Sequence, residues 1–264
     1  MIRGVLFTAV YYLLSAVCVL LSLPAMLLPG ERAVRGLVRL YTMSMRLALH
    51  WVAGIRTDVR GKHNLPDGPF IVAAKHQSWG DGFMIYPEVN NLVFVTGDHL
   101  EKFPLVGRIL NKLGAIVIDT CGGGQRKAQS LTDGVEKAKA DGRRILIYPE
   151  GHLAPPGHHF TYKPGVWHMQ QAMNVPVVPV ATNLGCFWKQ QSMRKQPGKA
   201  VIEFLEPIPP GDSKASFMAR LTEVIETASQ NLIAEANQTS PVGSILTEDP
   251  VKGTFARPPI PAGS

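Results

Sequence analysis

Residues 5–28, VLFTAVYYLLSAVCVLLSLPAMLL, carry no charged side chain. The run exceeds the roughly 20 apolar residues that a helix needs to cross the hydrocarbon core of a bilayer. Arg3 precedes it, as a basic residue precedes the core of a secretory leader. The stretch is longer than a usual leader core, however, and no small-x-small cleavage site stands before the basic residues that follow. The reading is therefore a membrane anchor, with the remainder of the chain on the cytoplasmic side because arginines follow the apolar run.

The next stretch, ERAVRGLVRLYTMSMRLALHWVAG (31–54), is amphipathic. On a helical wheel Arg32, Arg35, Arg39, Arg46 and His50 fall within roughly 60° of one another, while Val, Leu, Met, Tyr and Trp occupy the other faces. A one-sided arginine stripe directly after an apolar anchor predicts a helix lying at anionic headgroups. Residues 1–54 are thus expected to form a two-helix membrane-anchoring segment.

Composition agrees with a membrane setting. Of 264 residues, 45% are hydrophobic and 18% charged, and the formal net charge is +7. The pI is near 9.4. Such a balance favours polyanions, and total charge does not choose between nucleic acid and a membrane surface. The distribution does choose: the basic stripe adjoins an apolar anchor and is not interleaved with exposed aromatics, so nucleic acid is not an expected partner. Cys18, Cys121 and Cys186 show no paired spacing, which indicates neither a disulfide framework nor a zinc site.

After Gly54 short apolar runs alternate with helical segments. Expected strands are 69–74 (PFIVAA), 91–96 (NLVFVT), 115–118 (AIVI), 143–148 (RRILIY), 176–182 (PVVPVAT) and 200–205 (AVIEFL). A helix over 125–140 is opened by Gly122-Gly123-Gly124, and a last helix runs from an Asp212 or Ser213 cap to about Asn237. The alternation predicts an α/β domain over 55–237, with a mixed, partly parallel sheet flanked by helices. Residues 238–264, rich in Pro, Gly, Ser and Thr, are expected to be a disordered tail.

Within that domain HQSWGD places His76 five residues before Asp81. Carboxylates are 20 of 264 residues, so the spacing alone is close to what chance supplies among eight histidines, yet only His76 has it. Five residues along a helix separate side chains by about 140°. The pair can meet only if PFIVAA is a strand, KHQS the turn leaving it, and Asp81 lies in a helix that Ser78 caps. A carboxylate on one imidazole nitrogen fixes the tautomer and leaves the other nitrogen to take a proton.

A second strand end carries Pro149-Glu150-Gly151, where a carboxylate either binds acceptor hydroxyls or organises the loop through backbone N–H groups. A third block, LGAIVIDTCGGGQRKA (113–128), joins glycines to a helix N-terminus with Arg126 and Lys127, a pattern suited to an anion. The fourth, NVPVVPVATN (174–183), is a proline-punctuated apolar strand.

Four blocks in this order, HQSWGD, GAIVIDT, YPEGHL and VPVVPV, resemble those of the glycerolipid acyltransferase family, specifically its bacterial 1-acylglycerol-3-phosphate acyltransferases. The likeness covers about residues 55–210. It implies the fold of that family and transfer of an acyl chain from a coenzyme A or acyl-carrier-protein thioester to a lysolipid hydroxyl, giving phosphatidic acid. It further implies His76 as general base, Asp81 as its orienting partner, Glu150 and Gly151 in the acceptor site, and no metal or other cofactor. The bacterial inner membrane is the implied location. Two arginines of the family pattern are replaced, by Thr120 and by Leu153 beside His152. Lys102, Arg126, Lys127 and Lys163 are the available substitutes for holding a phosphate, although lysine does not reproduce a bidentate arginine. The acceptor headgroup therefore stays open. A lyso-aminolipid without the glycerol phosphate is one alternative, and a non-catalytic membrane-surface binding protein on the same fold is another.

Overall fold

The computed structural model describes residues 2–100, 105–118, 123–190, 192–239 and 255–256, without the side chains of 99, 123–128 and 255–256. The apolar run forms helix α1 (Ile2–Leu27), and α2 (Arg32–Ala48) folds back against it. A short π-helical turn then ends at Gly54, whose φ of 77° lets the chain leave the helix in a left-handed conformation closed to most side chains.

The strands and helices that follow are β1 (Ile55–Arg60), β2 (Ile71–Ala74), α3 (Asp81–Ile85), β3 (Leu92–Gly97), α4 (Val106–Lys112), β4 (Ile116–Ile118), α5 (Gly123–Ala140), β5 (Arg144–Ile147), β6 (His159–Phe160), α6 (Gly165–Met173), β7 (Val177–Thr182), β8 (Gly198–Phe204), α7 (Lys214–Thr239) and β9 (Phe255–Ala256). Seven of the strands form one sheet in the order β1-β8-β7-β2-β5-β3-β4. β7, β2, β5, β3 and β4 run parallel; β8 pairs antiparallel with β7, and β1 lies parallel to β8 at the edge. This is the mixed α/β sheet expected from the sequence. The additional edge strand β1, IRTDVR, is half exposed and rich in charge, so it lacks the apolar signature of the interior strands.

Alternation along the strands sorts the core onto two faces. Val72, Ala74, Leu146 and Val178 face Phe7, Leu49, Met84 and Trp188, below α1, the π-turn and α3. Ile71, Ala73, Ile145 and Ile147 face Val166, Met169, Phe217 and Leu221 on α6 and α7. β2, the strand that delivers His76, is fully buried between them.

The arginine stripe of α2 is split, with Arg32 and Arg39 exposed and Arg35 and Arg46 half-buried. Arg39 donates to Asn90 Oδ1 at 2.9 Å, Arg46 pairs with Glu88, and Arg35 pairs with Glu31. These arginines answer polar groups of the α/β domain and of the helical corner. The face left exposed carries Leu40, Met43 and Leu47, with Trp51 beyond. A sequence shows that a helix is amphipathic, and the position of carboxylates elsewhere in the fold decides which face turns inward. Arg143, buried at 4% exposure, fastens the same corner: it meets Glu31 at 2.6 and 2.7 Å and the carbonyls of Asn91 and Leu113. The expected tail beyond Gln238 lies outside the described residues, apart from the end of α7 and β9, which pairs with β6.

Candidate active site

His76 and Glu150 emerge from the carboxyl ends of β2 and β5, which are neighbouring parallel strands. Ligands in open parallel α/β sheets bind at that edge. Lys75 N–H still donates to Val180 O, and the chain then turns through residues 76–80 before α3 begins at Asp81.

Asp81 is wholly buried and organises that turn. Its Oδ2 accepts the N–H of Gln77 at 2.7 Å and of Ser78 at 2.9 Å, and lies 3.0 Å from His76 Nδ1. Ser78 is not the helix cap anticipated from the sequence. Gly80 occupies the cap position, and Ser78 Oγ accepts the Gly80 N–H instead. The carboxylate itself holds the turn, because two converging N–H donors stabilise its charge at a buried position.

The His76 ring stacks on Tyr148 with centroids 3.9 Å apart and planes 16° apart. Nδ1 is engaged by Asp81, and Nε2 makes no hydrogen bond among the described residues, while the side chain keeps 22% exposure. An imidazole held at Nδ1–H by a carboxylate presents Nε2 as a proton acceptor. Burial, with the nearby Asp81 charge, pushes the Tyr148 hydroxyl far above its usual range, so the ring supporting His76 stays neutral.

Glu150 is 1% exposed, and both of its oxygens are engaged within the protein. Oε1 accepts His76 N–H at 3.3 Å; Oε2 accepts Phe160 N–H at 2.9 Å and meets Lys75 Nζ at 3.1 Å. Of its two sequence readings, loop organisation is the one that this geometry favours. Burial pushes its carboxyl above the usual range, against the opposing pull of Lys75. Gly151, at φ 69°, ends the turn in the left-handed region, and a Cβ there would collide with Lys163 Nζ. Lys163 is exposed and donates its backbone N–H to Pro149 O. The structure thus gathers His76, Asp81, Glu150, Gly151 and Lys163 at one edge. Lys102 and Thr120 lie outside the described residues, as do the side chains of Arg126 and Lys127.

Sequence reasoning passed over Lys75, whose ammonium joins Glu150, Glu226 Oε1 at 2.8 Å and His158 O at 2.7 Å. Tyr162 donates to the same Glu226 oxygen at 2.7 Å. The signal available was weak: Glu226 is a carboxylate beside Ile225 on the apolar face of α7.

A family model described as acyltransferase matches residues 56–183. The 1-acyl-sn-glycerol-3-phosphate acyltransferase of Pseudomonas aeruginosa is 33% identical over 147 residues, which is 56% of this chain and 57% of that protein. The human 1-acyl-sn-glycerol-3-phosphate acyltransferase beta is 25% identical over 244 residues, covering 89% and 83%. The match spans little more than half the length of the Pseudomonas protein and 58% of the sheep alpha enzyme. In fold the chain is similar to the crystal structure of the 1-acyl-sn-glycerophosphate acyltransferase PlsC from Thermotoga maritima, with a TM-score of 0.71 at 24% identity over 88% of this chain and 97% of that one. Residues 56–183, just under half of this chain, are thus similar to the acyltransferase family.

Proposed function

We propose that this protein transfers an acyl chain from an acyl thioester, carried by coenzyme A or an acyl carrier protein, to the free hydroxyl of a 1-acylglycerol-3-phosphate in a membrane. The observation that carries the reading is the buried Asp81 carboxylate on His76 Nδ1, which leaves Nε2 free. Nε2 takes the proton as the acceptor hydroxyl attacks the thioester carbonyl. The tetrahedral intermediate collapses with cleavage of the C–S bond, and the imidazolium returns its proton to the departing thiolate. No protein acyl intermediate is required, since the nucleophile belongs to the acceptor.

The membrane part of the reading rests on α1 and α2. At 26 residues α1 is about 39 Å long, against a hydrocarbon core of about 30 Å. Its Tyr12, Leu13, Leu20 and Leu27 are exposed, and the outward apolar face of α2 lies beside it. Contiguous apolar surface of this kind calls for lipid or protein cover.

A second acceptor, a lysolipid without the glycerol phosphate, is favoured by one observation. Leu153 is half buried and His152 exposed where the family pattern has Thr-Arg. Thiol release from a long-chain acyl thioester, measured across lysolipids with and without phosphate, decides between them. Release with lysophosphatidate supports the first reading, and release only with phosphate-free acceptors selects the second.

A further inference from the structure

A cavity of about 280 Å³ lies where α1 meets the α/β domain, walled by Phe7, Tyr11, Trp79, Trp188, Met193 and Lys195 among others. That volume is near the lower bound of about 300 Å³ for small-molecule sites. Trp79 belongs to the turn between His76 and Asp81, so one wall of the cavity is part of the candidate catalytic loop.

The lining is apolar apart from a few groups, and Lys195 is the one that needs explaining. The residue is 8% exposed. Its Nζ donates to Ser192 O at 2.5 Å and sits 5.9 Å from the Phe7 ring centroid and 5.6 Å from that of Trp188. An ammonium has three N–H donors, and only this one bond engages them among the described residues. No carboxylate of the described residues lies within 4 Å of it. Burial holds its ammonium below the usual range of lysine, the expected response of a desolvated cation without a counter-ion. Ring faces offset part of that cost, but they do not supply the missing charge.

We propose that Lys195 is the cation of a binding site for the anionic headgroup of a single-chain lipid, whose apolar portion lies along the cavity against α1. Charge complementarity selects an anion, and the aromatic walls and the adjoining membrane-length helix select a lipid over a soluble ion. Trp79 and Met193, each about half exposed, form its rim. The inference deepens the acceptor reading above, because it provides a cation that none of the four sequence blocks supplies at the positions of Thr120 and Leu153.

The test is a binding measurement, so it does not depend on turnover. The full chain in nanodiscs of zwitterionic lipid is titrated with 1-acylglycerol-3-phosphate and with the monoacylglycerol of the same chain. Wild type is expected to bind the anionic lipid about tenfold more tightly or better, a margin that Lys195→Met reduces to about twofold and Lys195→Arg retains. An unchanged margin in Lys195→Met overturns the assignment. In the wild type, lysophosphatidate is expected to protect Lys195 from amine acetylation, read by mass spectrometry, while monoacylglycerol is not; equal labelling in both overturns it without any variant. Protection by inorganic phosphate at the same concentration would mark a free-anion site and reject the lipid. If the protein binds as expected but releases no thiol, the catalytic reading fails alone; an active enzyme indifferent to Lys195 rejects only this site.

Discussion

Asp81 Oδ2 lies 3.0 Å from His76 Nδ1 while accepting the N–H groups of Gln77 and Ser78, so one buried oxygen sets both the histidine tautomer and the shape of the loop that carries it. The four intervening residues wrap around the carboxylate, which is why a spacing unsuited to a helical face becomes a contact.

Asp81→Asn therefore changes two things at once. An amide accepts the loop N–H groups through its oxygen but carries no charge to favour imidazolium. The expected loss in kcat is about 10²–10⁴-fold, with a smaller change in KM for the acyl thioester. Steady-state thiol release on folded variant checks this, and a variant with near wild-type kcat contradicts it.

Lys75→Met removes the cation shared by Glu150 and Glu226, both buried. Breaking a buried pair from one side costs about 3–5 kcal/mol. Thermal or chemical denaturation in detergent is expected to show a loss of that order. Because the partners join the ends of β2 and β5 to α7, chymotrypsin should also cleave the 150–160 loop, which holds Leu153 and Phe160, sooner. A variant as stable as the parent would show that the cluster contributes little.

Glu88 connects α2 to the domain through Arg46 and Lys62. Burial opposes its ionisation, but hydrogen bonds from Lys62 and Arg46 outweigh that and hold its carboxyl below the ordinary 4.5. A depressed carboxyl stabilises the folded state above the unfolded value, and the contribution fades as pH falls through 4.5 and below. Glu88→Gln is thus expected to melt earlier than wild type at neutral pH, with the difference closing in acid. A difference independent of pH would rule out the ion pairs as its origin.

Much of this fold was legible because the interior strands are short apolar runs, with β7 β-branched at four of its six positions, set off by glycine and proline. β1 was not legible: an edge strand with Arg56, Asp58 and Arg60 alternates weakly and borrows its order from β8. The His76–Asp81 contact could be anticipated once a strand-to-helix corner was placed there. The means by which the corner is held could not, since Ser78 and the carboxylate are both reasonable caps on sequence grounds. Lys75 and Glu226 are 151 residues apart, and only folding reveals that they meet in the interior. Arg46 of α2 could not be placed for a related reason: Glu88 draws it inward, while Arg39 meets Asn90 at the surface and Leu40, Met43 and Leu47 face out.

The most direct measurement is thiol release from a long-chain acyl thioester by purified full-length protein with a lysolipid panel, comparing wild type with His76→Ala. Release by wild type that depends on a lysolipid, and falls by about 10²-fold or more in His76→Ala, is the predicted result. Equal release from the two proteins, or none from wild type with any acceptor, would contradict His76 as the general base of an acyl transfer.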